Sequence, residues 1–349
     1  PQAYLLPDVT CDFSNVKITQ DGDNRVYVSP AKGYSAPETY KTCLTYMDGF
    51  RAGTYVTLYG ENASAKAQKL ADAALTRAQK TLRLFNLGEY TAFSAEILGA
   101  GSQMGEPRTS DEVVMKLAVK HPDMRAVGIF LKELAGIGLA SPPGLSGFTG
   151  GGRARPSPVV RLFSYLTHKD EIAVIIDVEG RKTPFSPPAG GSTANGGDGG
   201  QPSVGTDHLP PATPAFLQNA GPTSPPKRGE EDLPQIPLIK LAWGRSGDKG
   251  NKANIGIIAR KPEYLPYIWA GLTPDMIGQT FAHFADDPAA LEKFYLPGSN
   301  AINILIDNVL GGGGPASLRN DAQGKGFAQI LLAQSIPVSK EIADTLGVT

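Results

Sequence analysis

The sequence predicts a two-domain α/β (α+β) protein: a mixed-sheet α/β N-terminal part and a compact C-terminal α/β sandwich. Three observations carry this reading. The chain has 349 residues, of which 41% are hydrophobic, enough for two ordinary domains with real cores. Apolar runs of alternating and of helical period follow one another in both halves. Between the halves, Pro184 to Pro234 hold 11 Pro and 9 Gly in 51 residues, a composition that cannot offset the entropy of ordering. Residues 1–183 are therefore read as one domain, 184–234 as a disordered Gly/Pro-rich linker and 235–349 as the small domain.

In the first domain, "NVKITQ" and "RVYVS" flank Asp21, Gly22, Asp23 and Asn24 as a hairpin would, and "GTYVTLYG" alternates as a strand. A helix is expected from Glu61 to Leu87, with Ala67, Leu70, Ala74, Ala78, Leu82 and Phe85 on one face and Gly88 as its stop. "TAFSAEILGAG" reads as extended. Thr109 and Glu112 stand in capping-box register, so "TSDEVVMKLAVKHP" is expected to be a helix ended by Pro122, with a second helix through Met124, Val127, Leu131 and Leu134. The β-branched runs "PVVRLFSYLT" and "EIAVIIDV" are expected to be central strands.

In the small domain, "IPLIKLAW" and "ANIGIIAR" read as strands, and Thr273 with Pro274 opens a helix. "LEKFYLPG" is expected to be a strand, "AINILIDNVL" a helix and "FAQILLAQSIPV" a strand. Such an alternation in little more than a hundred residues suits a sheet with helices on one face. A ferredoxin-like sandwich is the simplest such answer.

Candidate chemistry lies in glycine-rich polar stretches. In "LAWGRSGDKGNKANIGII", Arg245, Ser246, Asp248 and Lys249 sit among Gly244, Gly247 and Gly250, between two runs that are expected to be buried. Unpaired buried charges cost several kcal/mol, roughly, so the loop must reach solvent or a ligand at a sheet end. Glycines let backbone N–H groups form an anion-holding concavity, and Asn254 adds a neutral donor. A soluble strand connection would use the same residue types. Gly311, Gly312, Gly313 and Gly314 follow the expected helix, ahead of Ser317, Arg319 and Asp321; one glycine suffices for a helix C-cap, so the others point to a ligand, a neighbouring chain or flexibility. In the first domain Gly151 and Gly152 precede Arg153 and Arg155, with Arg161 in the next strand, a set able to grip a phosphate or carboxylate. Asp8, Thr10, Asp12 and Ser14 alternate, either as a polar site wall or as an exposed strand face.

Several classes are disfavoured. A net charge of -1 supplies no field for nucleic acid or an anionic membrane. Cys11 and Cys43 have neither metal spacing nor the density of a secreted scaffold, which suits a reducing, cytoplasmic setting. The glycine spacing is not that of a P-loop, and HxxxH, GxSxG and paired Cys or His ligands are absent from the sequence, so no metal site is assigned. The chain begins at Pro1 without an initiator Met and is read as a piece of something longer.

"YLLPDVTCDFSNV", "YMDGFRAG", "GGGRARPSPVVRLFSYL", "LAWGRSGDKGNKANIGIIARKPEYLPY" and "LGGGGPASLRNDAQGK" together resemble the acyclic terpene utilisation A family, long described as a domain of unknown function. The resemblance covers nearly all of the chain outside the linker, with "SGDKG…ANIG" as its most specific motif. It implies that 1–183 is the C-terminal part of a larger α/β family domain and that the small domain is ferredoxin-like. It further implies acyl-CoA or branched-carboxylate catabolism, with CoA as substrate carrier, and supplies no catalytic residues.

The expected function is an enzyme acting on a CoA-linked or carboxylate substrate by a hydratase- or lyase-type proton transfer. In it Arg245 and Lys249 hold negative charge and Asp248 acts as base. Ser246, Gly247, Gly250, Asn254, Gly311 to Gly314, Ser317, Arg319, Gly151, Gly152 and Arg153 bind substrate. A homo-oligomer is expected, and the alternative function is a binding or oligomerisation module whose glycine loops form a subunit interface.

Overall fold

A computed structural model describes residues 3–147, 154–184, 221–222, 233–285 and 290–347. The expected linker lies almost wholly outside the described residues.

The first domain opens with short strands β1 (Ala3–Leu5), β2 (Thr10–Asp12), β3 (Lys17–Gln20), β4 (Val26–Ser29) and β5 (Lys32–Tyr34). β3 and β4 form the expected hairpin, and β1-β2-β5 form a small sheet. Thr10, Asp12 and Ser14 are buried, and Asp12 Oδ1 accepts from Ser14 N (2.8 Å) and Ser14 Oγ (2.6 Å), so this is not an exposed strand face. Then come β6 (Thr39–Tyr59), α1 (Ala63–Leu84), β7 (Ala92–Leu98), β8 (Glu112–His121), α2 (Met124–Leu139), β9 (Leu145–Ser146) and β10 (Ser157–His168). The sheet order is β10-β6-β8-β7, antiparallel, with β9 also paired to β6. Helices α1 and α2 cover one face through Ala67, Leu70, Ala74 and Phe130 against Leu58, Met115, Leu117 and Val119.

Three readings of this half are corrected. The segment after Thr109 is strand β8, not a helix: Val113, Met115, Leu117 and Val119 alternate into the core, and a period of two across ten residues outweighs one capping-box signal. "PVVRLFSYLT" forms β10 at the sheet edge, where most of its residues are exposed. "EIAVIIDV" supplies β11 (Ile175–Val178), paired among the described residues only with β12 (Arg181–Pro184) in an exposed hairpin. β-Branched composition favours strands without distinguishing central from edge positions.

The second domain runs β13 (Gln235–Pro237), α3 (Leu238–Leu241), β14 (Ala242–Lys249), β15 (Lys252–Ala259), α4 (Leu265–Gly271), α5 (Pro274–Phe281), β16 (Leu291–Leu296), β17 (Ala301–Ile306), α6 (Phe327–Leu332), β18 (Ser335–Pro337) and α7 (Lys340–Thr345). Its main sheet is antiparallel in the order β14-β15-β17-β16. β15, the helices α4 and α5, and β16 make a split β-α-β unit with β17 between its strands, the ferredoxin-like core. The strand flanking β15 is β14, which precedes the unit, so the order is that of a ferredoxin-like sheet with one edge strand moved to the front of the chain. Ile255, Ile257, Ile302 and Ile304 pack against Ile268, Ile277, Phe281, Phe327 and Leu331 on the helical face.

Here too the structure revises particular elements. "AINILIDNVL" contains strand β17, whose Ile302, Ile304 and Ile306 point into the core at every second position. "FAQILLAQSIPV" divides into helix α6 and strand β18, with the stacked Phe281, Phe284 and Phe327 rings anchoring α6. "IPLIKLAW" is broken by the helical turn α3. Thr273 caps α5 as expected, its hydroxyl accepting from Met276 N (3.2 Å).

Candidate functional site

Because β8 is a strand, its even-numbered residues Lys116, Ala118 and Lys120 share the helix-free face of the first sheet. They pair with Tyr55, Gly53 and Arg51 of β6 on one side and with Glu96, Ser94 and Ala92 of β7 on the other. The segment that follows β17 docks on this face. Lys116 and Glu96 are buried and form an ion pair, and Lys116 Nζ also donates to Ser94 Oγ and Leu318 O. Glu96 in turn accepts from Asn320 N (2.8 Å), and Arg51 Nη1 donates to Ser317 O (2.7 Å). Burial pushes the Lys116 ammonium pKa down, and its hydrogen bond to Glu96 opposes that shift. Carbonyl and amide groups of residues 317–320 are thus satisfied across the domain boundary rather than left dry.

Two cavities border this docked segment. One, of about 640 Å³, is lined by Lys120, Arg161, Asn251, Gly311, Gly312 and Arg319. Asp48 stands behind its cations, ion-paired to Lys120 and 3.4 Å from Arg161 Nη1. The other, of about 420 Å³, is lined by Arg51, Arg155, Gly314, Ser317 and Arg319. Arg319 is held in place by donating to Val309 O and Phe284 O and by lying 5.4 Å over the Phe284 ring. Both volumes fall in or near the roughly 300–1,000 Å³ range of small-molecule sites.

The glycine loop makes this approach possible. Gly311, Gly312 and Gly313 have φ of 64°, 98° and 85°, which an L side chain adopts only with strain. A Cβ on Gly313 would lie 2.7 Å from Gly250 O, and one on Gly312 would lie 3.1 Å from Arg161 Nη2. Gly312 N donates to Asn251 Oδ1 (2.8 Å). The turn joining β14 to β15 and the glycine loop therefore meet, main chain against main chain. The loop follows strand β17, not a helix, so none of these glycines is a helix C-cap.

The other sequence-derived candidates are placed as follows. Arg245, Ser246, Gly247, Asp248 and Lys249 belong to strand β14, and only Gly250 and Asn251 form the turn. The pleat sends Arg245 and Lys249 to one face and Ser246 and Asp248 to the other. Arg245 and Lys249 are exposed, roughly 13 Å apart along the strand; Asp248 is half-buried, and Lys249 Nζ donates to the Asp248 carbonyl. These three side chains do not converge. Ser246 Oγ accepts from Ala328 N (2.9 Å) and donates to Lys325 O (3.1 Å), tying β14 to the start of α6. Gly247 lies against the Lys325 ammonium, and Asn254 Nδ2 donates to Asn303 Oδ1. Gly151, Gly152 and Arg153 lie outside the described residues.

Arg51, Lys116, Lys120, Glu96 and Asp48 escape a sequence reading that takes β8 for a helix. Their signal was the alternation of Lys116 and Lys120 with Val113, Met115, Leu117 and Val119. Among the described residues no group of three or more His, Cys, Asp or Glu side chains could hold a metal ion, and no helix is long and apolar enough to cross a membrane.

Two family models match the chain. One, described as acyclic terpene utilisation family protein AtuA, matches residues 1–178, and the AtuA ferredoxin-like domain matches residues 236–337. No curated protein and no solved structure matches.

Proposed function

Given that the chain belongs to the acyclic terpene utilisation AtuA family, we propose that the interdomain cleft binds the anionic part of a branched carboxylate or CoA-linked substrate. The observation that carries this reading is the convergence of Lys120, Arg161 and Arg319 from both domains on the main chain of Gly311 and Gly312 around one cavity. Guanidinium and ammonium groups in a partly closed site hold carboxylate or phosphate through charge-assisted hydrogen bonds. The same groups would stabilise the oxygen of an enolate next to a thioester, the charge that develops in a hydratase- or lyase-type proton transfer. In this reading Asp48, ion-paired to Lys120 and 3.4 Å from Arg161 Nη1, takes the role of base ahead of Asp248 on β14.

The subunit-interface alternative has less behind it, because Gly312 and Gly313 make close contacts with Arg161 and Gly250 of the same chain. A thermal-shift screen against branched acids, their CoA thioesters and CoA itself tests the proposal, since a ligand that binds only the native state raises its apparent stability. The expected result is a shift with an anionic acyl ligand that Arg161→Gln abolishes and Arg245→Gln preserves. A shift kept by Arg161→Gln and lost in Arg245→Gln would move the site back to β14. Once turnover is found, Asp48→Asn should suppress it and Asp248→Asn should not.

A further inference from the structure

The first sheet extends past the cationic cleft as a two-stranded ribbon. β8 pairs with β6 only from Phe50 to Tyr59, whereas β10 continues along β6 from Met47 back to Thr39, where no further strand pairs among the described residues. Arg161, which lines the 640 Å³ cavity, sits in this ribbon opposite Tyr46. Alternation along a strand sends Phe163 and Tyr165 to the same face as Arg161, and their cross-strand partners Leu44 and Thr42 share it. Two contacts agree with that phase: the Phe163 and Tyr165 rings stack with centroids 6.0 Å apart, and the Thr42 and Thr167 hydroxyls hydrogen-bond at 2.7 Å. Leu44, Tyr46, Phe163 and Tyr165 are each between 45% and 56% exposed, so large side chains that could pack stand together in the open. Single apolar residues on a surface are ordinary, but a contiguous group marks a place where something binds.

We infer that this face seats the hydrocarbon part of the anionic ligand, with the charged end on Arg161 and Lys120 in the cavity and the chain laid along β10 over Phe163 and Tyr165. The inference rests on the proposed anion site for its charged end. Continuity names the occupant, because the apolar track starts at the residue that lines the cavity and runs away from it on the same side of the same strand. Between Arg161 and Thr167 this face of β10 and β6 holds no charged residue. From Arg161 to Tyr165 it spans roughly 13 Å along the strand, and the Thr42–Thr167 pair, whose hydroxyls satisfy each other, closes its far end. The opposite face carries Leu162 and Leu166, which are just as exposed, but alternation turns it away from Arg161. A cation that fixes orientation beside an apolar wall that adds affinity is the usual division of labour in a small-molecule site.

The test titrates the whole chain with butyrate and decanoate in four proteins: the wild type, Arg161→Gln, a Leu44→Gln, Phe163→Gln double variant of the track and a Leu162→Gln, Leu166→Gln double variant of the opposite face. The substituted leucines and phenylalanine are half exposed, so both double variants should keep the wild-type melting temperature. Wild type is expected to bind decanoate at least tenfold tighter than butyrate, because each buried methylene adds roughly a three- to fourfold gain at full burial and the longer chain exceeds tenfold even when covered on one side only. The track variant should reduce that preference to about threefold or less and leave butyrate within about twofold, and the opposite-face variant should alter neither acid. Arg161→Gln should weaken both acids at least tenfold, roughly the worth of one charge-assisted contact. Equal binding of the two acids by wild type, a preference kept in the track variant, or a preference lost equally in both double variants would overturn the track and leave the anion site standing. A preference lost only in the track variant, with both acids indifferent to Arg161→Gln, would support the track and overturn Arg161 as its anchor. A wild-type dimer that sedimentation shows to be split only in the track variant, with decanoate no better than butyrate, would give the face to a second copy of the chain and overturn the inference.

Discussion

At the scale of single residues the account depends on backbone positions that tolerate only glycine and on charges that are buried in pairs. Gly313→Ala places a methyl group 2.7 Å from Gly250 O at a φ of 85°, so it should destabilise the protein by about 1–3 kcal/mol. It should also loosen the contact between the two turns, measured as lower thermal stability together with weaker ligand binding. Glu96→Ala removes the partner of buried Lys116 and the acceptor for Asn320 N. The expected cost is about 3–5 kcal/mol, because an uncompensated charge remains in the protein. The paired change Glu96→Leu with Lys116→Met should recover much of that stability in denaturant unfolding, while the 317–320 segment loses its anchor and ligand binding falls. A single-variant cost below about 1 kcal/mol would show that Lys116 is hydrated and the clamp unimportant.

Lys293 is a half-buried cation on the core side of β16. Its Nζ donates to Trp269 O (2.8 Å) and Leu272 O (2.9 Å) at the end of α4, and it lies 4.0 Å over the Trp269 ring. Burial nevertheless pushes its pKa down to about 8 from 10.5. The unfolded chain then holds more protons than the native one between those values, so this group makes stability rise as pH increases from about 8 towards 10.5. Unfolding measured across that window should show a positive slope that Lys293→Met removes. An unchanged slope in the variant would assign the effect elsewhere.

At the scale of elements, what was legible in the sequence depended on the period of the pattern and on how many signals agreed. Helix α1 combined a long 3.6-residue stripe with a glycine stop, and α5 combined Thr273 with Pro274; both formed, although α1 runs over Ala63–Leu84 rather than Glu61 to Leu87, and Phe85, expected on its apolar face, is exposed beyond its end. β8 and β17 were misread because a cap-like pair or a dense apolar run was weighed above strict alternation. Those two errors mattered unequally. Reading β17 as a helix changed only what precedes the glycine loop. Reading β8 as a helix hid the cationic face, since a helix would hold Lys116 and Lys120 on its own solvent side, whereas the strand pairs them with Tyr55 and Arg51 of β6 and with Glu96 and Ala92 of β7. The Gly244–Gly250 stretch was read as a loop because of its glycines, yet every residue from Ala242 to Lys249 is paired to β15. Its glycines serve close packing instead, Gly244 against Leu332 and Gly247 against Lys325. Gly244→Val is accordingly expected to cost about 1–3 kcal/mol through overpacking against Leu332 and Ile257, measurable by denaturant unfolding. A neutral effect there would mean that α6 moves away without penalty.

At the scale of the molecule, the two domains are joined by chemistry as well as by the chain. Arg51, Glu96 and Lys116 of the first domain satisfy the main chain of residues 317–320 in the second, and His283 Nε2 lies 3.2 Å from Gln103 O. The cleft exists because the glycine loop, carried by the ferredoxin-like sheet, is pressed against the helix-free face of the other sheet. Composition could indicate two folded units, but it could not indicate which faces meet. A near-zero net charge concealed a local gathering of Arg51, Lys120, Arg161 and Arg319, each contributed by a different part of the sequence.

Isothermal titration of one anionic acyl ligand, a branched carboxylate or its CoA thioester, into the wild type, Arg161→Gln and the Arg245→Gln, Lys249→Gln double variant tests the central claim most directly. Loss of one charge-assisted contact is worth about 1.5–3 kcal/mol, so Arg161→Gln should weaken binding at least tenfold, and the double variant should stay within about twofold of wild type. Unchanged affinity in Arg161→Gln, with binding lost in the β14 double variant, would contradict the account.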